Sequence, residues 1–147
     1  MLKGQLIHPG ILNALAKSGH GSKVLISDGN YPHWTKRGPR AEVVYVGVSP
    51  GVPSVTDVLK PLLSVIQVES ATIMDAAMSG PHAMPRDPEV WKELAAILKN
   101  TDCKGKLIKL ERFAFYEAAG GADVCLTIAT GEQRIYANVL LTIGVVK

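Results

Sequence analysis

Short apolar segments with the pattern of β-strands alternate with segments that repeat apolar residues at helical spacing, and this alternation runs along the whole sequence. The clearest strand pattern is the continuous apolar run Val24-Leu25-Ile26 between Lys23 and Ser27, which is typical of a strand buried on both faces. Strands that alternate with helices predict a mostly parallel sheet with helices on both faces. We therefore expect an α/β fold with its ligand site beyond the carboxyl ends of the strands.

The individual elements follow from local signals. The predicted strands are Lys23 to Ser27, Glu42 to Val48, Ala71 to Met78, Leu107 to Leu110, Val124 to Ile128 and Val139 to Val145. The predicted helices run from Pro9 to Gly19, from a cap at Ser54 or Thr56 to Ile66, from the Asp87-Pro88 cap to Leu98, and from Phe113 to Ala119. Pro61 predicts a kink or a break in the second helix.

Length and charge limit the classes of protein. A chain of 147 residues predicts one domain, residues 1–147. A net charge of +3 without a basic stripe argues against a nucleic-acid partner. No secretory signal or membrane-spanning run is evident, so we expect a cytoplasmic protein without a membrane partner. Cys103 and Cys125 stand alone in the sequence, which predicts packing thiols and neither a disulfide nor a zinc site.

The segment Gly47-Val48-Ser49-Pro50-Gly51 matches the nucleophile elbow of α/β-hydrolases and lies between a predicted strand and a predicted helix. In that elbow, the backbone N–H of the residue after the serine forms half of the oxyanion hole. Pro50 has no N–H, so a hydrolase that uses Ser49 is disfavoured.

No cofactor motif is complete. Gly19-His20-Gly21 precedes a strand and lacks the third glycine of a dinucleotide fingerprint. The sequence has no phosphate loop and no pair of residues at metal-ligand spacing. We therefore expect chemistry without a metal or a cofactor.

His20 and Asp28 are the first candidates for chemistry. His20 follows a predicted helix and is flanked by glycines, and Asp28 follows a buried strand. Each residue also has an ordinary interpretation, because a histidine at this place can compensate a helix dipole and an aspartate can start a turn.

Several separated blocks together resemble the RbsD/FucU sugar mutarotases over nearly the whole chain. The blocks are Gly19-His20-Gly21 with Ser27-Asp28, Arg112-Phe113-Ala114-Phe115-Tyr116-Glu117, Thr130-Gly131-Glu132, Tyr136-Ala137-Asn138-Val139-Leu140-Leu141 and Gly144-Val145. The block that starts at Arg112 looks like the L-fucose mutarotase branch, whereas Tyr136-Ala137-Asn138 looks like the ribose pyranase branch. The resemblance as a whole is closer to the L-fucose branch.

The resemblance implies an RbsD-like fold and a monosaccharide mutarotase, in which His20 is the proton donor and Asp28, Arg112, Tyr136 and Asn138 bind the sugar. Mutarotation moves one proton off the anomeric hydroxyl and one onto the ring oxygen, and a histidine suits both steps near neutral pH. The resemblance also implies a homo-oligomeric ring, commonly a decamer of two stacked pentamers, whose sites are completed by C-terminal residues of a neighbouring subunit.

Other interpretations of the same residues stay open at this point. Tyr136 and Asn138 can simply alternate between the faces of a strand, and Arg112 can form a surface pair with Glu111 or Glu117. A protein that binds a monosaccharide without catalysis would keep the same pocket.

The loop Asn30-Tyr31-Pro32-His33-Trp34 departs from the usual wording of the family. Tyr31 or Trp34 can stack on the apolar face of a sugar, so we expect this loop to influence which sugar binds. Burial of either aromatic residue in a subunit interface is the competing expectation.

Overall fold

One six-stranded sheet organises the protein, and the computed structural model describes all 147 residues. In chain order the elements are α1 (Pro9–Ala16), β1 (Lys23–Ser27), β2 (Glu42–Tyr45), α2 (Val55–Leu62), β3 (Val68–Met74), α3 (Glu89–Ile97), β4 (Leu107–Leu110), α4 (Arg112–Ala119), β5 (Val124–Ala129) and β6 (Val139–Ile143), with a 3₁₀ turn at Leu98–Asn100. The predicted α/β class is confirmed.

The strand order across the sheet is β2-β5-β1-β6-β3-β4. The pairs β2 with β5, β5 with β1, and β3 with β4 are parallel, whereas β6 pairs antiparallel with both β1 and β3. The sheet is thus mostly parallel, as predicted, with one reversed strand near its centre. Because of this reversal, the beginning of β6 lies at the same edge as the carboxyl ends of β1 and β3.

Helices cover both faces of the sheet. The larger core cluster joins α1, α2 and α3 to one face through residues such as Val24 and Ile26 of β1. The smaller cluster joins α4 to the other face through Leu25 and Phe115. Alternate side chains of β1 therefore contribute to opposite layers, as the pleat of a strand requires.

The structure shortens several predicted elements. The second and sixth strands end at Tyr45 and Ile143 instead of Val48 and Val145. The third strand spans Val68–Met74 instead of Ala71 to Met78, because its neighbour β6 begins at Val139, which pairs with Ile73. Beyond Met74 the antiparallel partner has ended, so the chain leaves the sheet.

The helix ends also differ from the prediction. Ser54 is the cap of α2 and forms a capping box with Asp57, and the helix ends at Leu62, directly after Pro61, and not at Ile66. Pro88 is the cap residue of α3 without a side-chain hydrogen bond, while Asp87 instead binds the Lys109 ammonium at 3.1 Å. The last helix begins one residue early, at Arg112.

The serine of the hydrolase-like motif lies in a turn that does not form a nucleophile elbow. The Ser49 backbone N–H donates to the Val52 carbonyl at 3.3 Å, β2 has already ended at Tyr45, and α2 begins only at Val55. The strand and the helix of an elbow are therefore not adjacent to the serine.

No helix of the protein combines the length and the hydrophobicity that are needed to cross a lipid bilayer.

The core makes a direct prediction about stability. Leu59 of α2 is fully buried in the larger core cluster, so Leu59→Ala should lower the free energy of unfolding by about 2 to 5 kcal/mol through lost contacts and a cavity. Urea unfolding at one protein concentration measures the change. Val48→Ala, at a site that is 83% exposed, is the control, and an equal effect of the two variants would contradict the packing described here.

Candidate active site

A cavity of about 420 Å³ opens at the sheet edge where β1 and β3 end and β6 begins. This size is within the range of pockets that bind small molecules. Its lining residues are Asp28, Asn30, Tyr31, Met74, His82, Arg112, Tyr116, Ile135, Tyr136 and Asn138. Four of the five residues predicted to act on the sugar, all except His20, therefore share one cavity.

Asp28 and Asn138 form a reciprocal pair in the cavity, and each is only 3% exposed. The Asn138 side-chain Nδ2 donates to Asp28 Oδ2 at 2.8 Å, and the Asp28 backbone N–H donates to Asn138 Oδ1 at 2.9 Å. The Asn30 backbone N–H donates to the other carboxylate oxygen of Asp28 at 3.0 Å. These bonds hold the carboxyl group in one orientation.

Burial raises the pKa of the Asp28 carboxyl above its usual value, against the opposing effect of the hydrogen bonds from Asn30 and Asn138. A carboxyl group that retains its proton to a higher pH is suited to proton exchange with a hydroxyl group. The same residue can also accept hydrogen bonds from a polyhydroxylated ligand.

The backbone on both sides of Asp28 is held by the Thr130-Gly131-Glu132 segment. The Thr130 hydroxyl donates to the Ser27 carbonyl at 2.7 Å, and the Gly29 backbone N–H donates to the Glu132 carbonyl at 2.8 Å. Burial acts to raise the pKa of the Glu132 carboxyl, but hydrogen bonds from Arg134 outweigh it and the pKa is lowered. The Glu132 carboxylate is therefore a fixed anion paired with Arg134, while the backbone carbonyl of the same residue holds the loop after Asp28.

Tyr136 lines the cavity with a strained backbone, since its φ is 61°, a value that few residues other than glycine adopt. Its hydroxyl group donates to the His82 carbonyl at 2.9 Å and accepts from the Ala77 backbone N–H at 3.1 Å. Trp91 Nε1 donates to the Tyr136 carbonyl at 3.0 Å. The phenol thus anchors the loop between β3 and α3 against the cavity, which leaves it poorly placed to exchange a proton.

Arg112 and Tyr116 reach the cavity from α4. They are four residues apart, so they lie on the same side of the helix, and the Arg112 guanidinium carbon is 5.6 Å from the centre of the Tyr116 ring. Phe115 and Ala119, both fully buried, attach α4 to the sheet. Arg112 therefore faces the cavity and does not form the surface pair with Glu111 or Glu117 that the sequence also allowed.

His20 lies away from this cavity, at the opposite end of β1. Gly21, Ser22 and the five residues of β1 separate it from Asp28, and a strand of five residues spans roughly 16 Å. His20 lines a different, largely apolar cavity of about 510 Å³, and its Nε2 is 3.0 Å from Glu69 Oε2. Within one chain, His20 and Asp28 therefore line different cavities.

The two aromatic residues of the loop after β1 have different surroundings. Tyr31 is buried, lines the cavity, and packs edge-on against Phe115 and Tyr116. Trp34 is 68% exposed and stacks with the Arg37 guanidinium at 4.5 Å, outside the cavity. The expectation of a sugar-stacking residue therefore fits Tyr31 and, within a single chain, does not fit Trp34.

The sequence analysis did not single out four lining residues: Met74, His82, Tyr116 and Ile135. Asn30 also lines the cavity and belongs to the loop that was predicted to influence which sugar binds. Tyr116 could have been predicted from the sequence, because it follows Arg112 at helical spacing and belongs to the same block of the family resemblance. His82 carried no usable signal, since only the folding of the loop between β3 and α3 brings it to the cavity.

Groups of three or more His, Cys, Asp or Glu side chains placed to hold a metal ion do not occur in the structure. The donors that do converge on the cavity are carboxyl, amide, guanidinium and phenol groups. Such a set is suited to hydrogen bonding with hydroxyl groups.

The fold and the cavity define a small α/β protein with a pocket at the carboxyl edge of its sheet, and the polar groups of this pocket are suited to a hydroxyl-bearing small molecule. The sequence model of the RbsD / FucU transport protein family matches residues 1–146. The chain belongs to this family.

Known proteins agree with that assignment. Human fucose mutarotase is 37% identical over 150 residues, which cover 98% of this chain and 94% of the relative. The crystal structure of FucU from Bifidobacterium longum superposes with a TM-score of 0.78 at 34% identity and covers 96% of each chain. The fucose mutarotase of Streptococcus pneumoniae in complex with L-fucose has a TM-score of 0.78 at 26% identity, over 96% of this chain and 95% of that chain.

The buried Asp28 carboxyl predicts a specific pH dependence of stability. Its pKa is raised above 3.8 in the folded state, so between the unfolded and folded pKa values the folded protein binds more protons than the unfolded chain. The contribution of Asp28 to the free energy of unfolding therefore falls as the pH rises through this window. The variant Asp28→Asn has no such titration.

Urea unfolding of both proteins from about pH 4 to pH 8, at one protein concentration, tests this expectation. The free energy of unfolding of the wild type minus that of Asp28→Asn should decrease as the pH rises. Asp102→Asn, in an exposed turn outside the cavity, serves as the control for the loss of a carboxyl group. A difference for Asp28→Asn that increases with pH would show that the carboxyl is stabilised in its charged form.

Proposed function

We propose that the protein catalyses mutarotation of a free monosaccharide and that L-fucose or a closely related sugar is its substrate. The observation that carries the proposal is the single cavity that contains Asp28, Arg112, Tyr136 and Asn138. The name of the human relative and the L-fucose in the streptococcal structure support this sugar class. A sugar-binding protein without catalysis is not favoured, because the relatives carry the name of an enzyme.

The cavity offers a distinct interaction to each part of a pyranose ring. The Asp28 carboxyl and the Asn138 amide accept and donate hydrogen bonds to hydroxyl groups, and the Arg112 guanidinium donates to oxygen atoms. The rings of Tyr31 and Tyr116 provide apolar surface for the C–H face of the sugar. Tyr136 contributes a wall and anchors the loop through His82 and Ala77.

The reaction needs one proton donor and one proton acceptor at the sugar. One group removes the proton of the anomeric hydroxyl while another protonates the ring oxygen, and the bond between the anomeric carbon and the ring oxygen breaks. The open-chain aldehyde then turns and closes on its other face, which returns both protons. His20 is the proposed proton donor to the ring oxygen, and the Asp28 carboxyl, which also holds the sugar hydroxyls, is the proposed acceptor of the anomeric proton.

His20 of one chain lies at the far end of β1 from its own cavity, so we propose that a neighbouring subunit supplies the histidine to each site. The protein would then act as a homo-oligomeric ring, with a decamer as the expected assembly. Exposed apolar side chains support a subunit interface: Trp34, Met78, Phe113, Val145 and Val146. Both cysteines are free, which agrees with a proposed cytoplasmic location.

We also propose that the whole chain, residues 1–147, acts as one domain. The match of the family over residues 1–146 and the single continuous sheet support this view.

Exchange NMR on equilibrated free sugars tests the activity. We expect the wild type to accelerate exchange between the anomers of L-fucose by about 10² to 10⁴, the usual contribution of acid–base catalysis, with weaker effects on D-ribose and other monosaccharides. His20→Ala should return the exchange to the background rate while L-fucose still binds. Binding without exchange by the wild type would instead establish a sugar-binding protein.

The shared site can be tested by mixing inactive subunits. His20→Ala lacks the proton donor, and Asn138→Leu lacks a residue of the cavity, so each oligomer alone should be inactive. Equal amounts of the two, unfolded and refolded together, should form some interfaces that join an intact cavity to an intact histidine. Random mixing predicts about one quarter of the wild-type activity.

Two controls complete this experiment. Light scattering must report the same oligomer for both variants and for the mixture, and the variants refolded separately and then combined should stay inactive. A mixture that stays inactive despite joint assembly would mean that each site uses residues of one chain only.

A further inference from the structure

His20 has one side-chain partner, the Glu69 carboxylate, although 49 residues separate the two in sequence. The distance between His20 Nε2 and Glu69 Oε2 is 3.0 Å, which is the length of a normal hydrogen bond. Both side chains are partly exposed, at 59% for His20 and 39% for Glu69. An isolated surface pair of this kind contributes little to stability, so its geometry needs another explanation.

The backbone around Glu69 departs from a regular strand. Val68 pairs with Ile143 and Ser70 pairs with Thr142, so Glu69 is the extra residue of a bulge in β3. A bulge re-aims the side chain that it carries, and such irregularities are frequent beside active sites. The bulge directs Glu69 toward the loop that holds His20.

Two glycines beside the His20–Glu69 pair allow the backbone conformation and the close packing that the pair requires. Gly21 has a φ of 81° and its N–H donates to the Ile143 carbonyl at 2.9 Å, which fixes the His20 loop to the end of β6. A Cβ atom at Gly144 would lie 3.2 Å from the Glu69 Cβ, so a larger residue there would press on the glutamate. The His20 loop, the bulge at Glu69 and the end of β6 thus together fix the geometry of the His20–Glu69 pair.

We infer that Glu69 is a positioning residue for His20, an inference that rests on the proposed mutarotase function. The Glu69 carboxylate accepts a hydrogen bond from Nε2–H of His20, which selects one neutral tautomer and one ring orientation. Nδ1 is then the nitrogen that exchanges a proton with the sugar in the neighbouring subunit's cavity. Glu69 also stabilises the imidazolium ion that exists while His20 holds both protons, as in other histidine–carboxylate pairs.

Kinetics of anomer exchange test the role of Glu69 through its dependence on His20. Glu69→Gln retains the shape and one acceptor oxygen but lacks the charge and can also donate a hydrogen bond, so we expect kcat to fall on the order of tenfold while KM stays close to that of the wild type. His20→Ala alone already returns the exchange to the background rate, so the double variant is compared with it in L-fucose binding, which adding Glu69→Gln should leave unchanged because Glu69 acts only through the imidazole. A loss of L-fucose binding caused by Glu69→Gln, or a rise in KM in place of a fall in kcat, would overturn the inference.

The imidazole tautomer supplies a second readout that does not depend on activity. With ¹⁵N-labelled histidine, the two-bond and three-bond ¹H–¹⁵N couplings of His20 should report the Nε2–H tautomer in the wild type. In Glu69→Gln the amide can donate as well as accept, so the Nδ1–H tautomer should increase measurably. An unchanged tautomer ratio would show that Glu69 does not orient the ring.

A matched control comes from Glu42, whose carboxylate pairs with Lys17 at the same side-chain exposures, 59% for the lysine and 39% for the glutamate. Glu42→Gln should leave both kcat and the His20 tautomer unchanged. If the wild type itself fails to accelerate exchange, the proposed function fails, whatever the tautomer shows. If the wild type is active and Glu69→Gln equals it in kcat, only the positioning role is wrong.

Discussion

The paired hydrogen bonds between Asp28 and Asn138 are the interaction on which the site depends, because they join the end of β1 to the beginning of β6. This contact exists only because β6 enters the sheet antiparallel between β1 and β3. In a fully parallel sheet, the start of β6 would lie at the opposite edge. Because β6 is reversed, polar side chains reach this edge of the sheet both from the end of β1 and from the beginning of β6.

Hydrogen bonds from several neighbouring segments hold the walls of the cavity in place. Thr130 and Glu132 hold the backbone around Asp28, and Tyr136 ties the loop between β3 and α3 to the same edge. The strained φ of Tyr136 persists because hydrogen bonds at both ends of the residue, to Trp91 and to the loop, over-determine its conformation. Rigid support of this kind lowers the cost of ordering the site around a ligand.

Local patterns predicted the elements well where packing and propensity agree. The strand Lys23–Ser27 and the strand Leu107–Leu110 have the predicted bounds, because apolar runs and polar flanks mark both ends. The predictions failed at ends that depend on a distant partner. β3 stops where β6 begins, and Asp87 binds Lys109 instead of capping its helix. In both cases the deciding partner is far away in sequence, so a local pattern does not show it.

The sequence by itself determined the α/β class, the alternation of buried strands and amphipathic helices, and the residue types that can bind a sugar, because these depend on periodicity and side-chain chemistry. Only the tertiary structure decided which of those residues meet. It gathered Asp28, Arg112, Tyr136 and Asn138 at one edge and left His20 beside Glu69 at the other. The direction of each strand in the sheet sets that division, and strand direction is decided by long-range pairing.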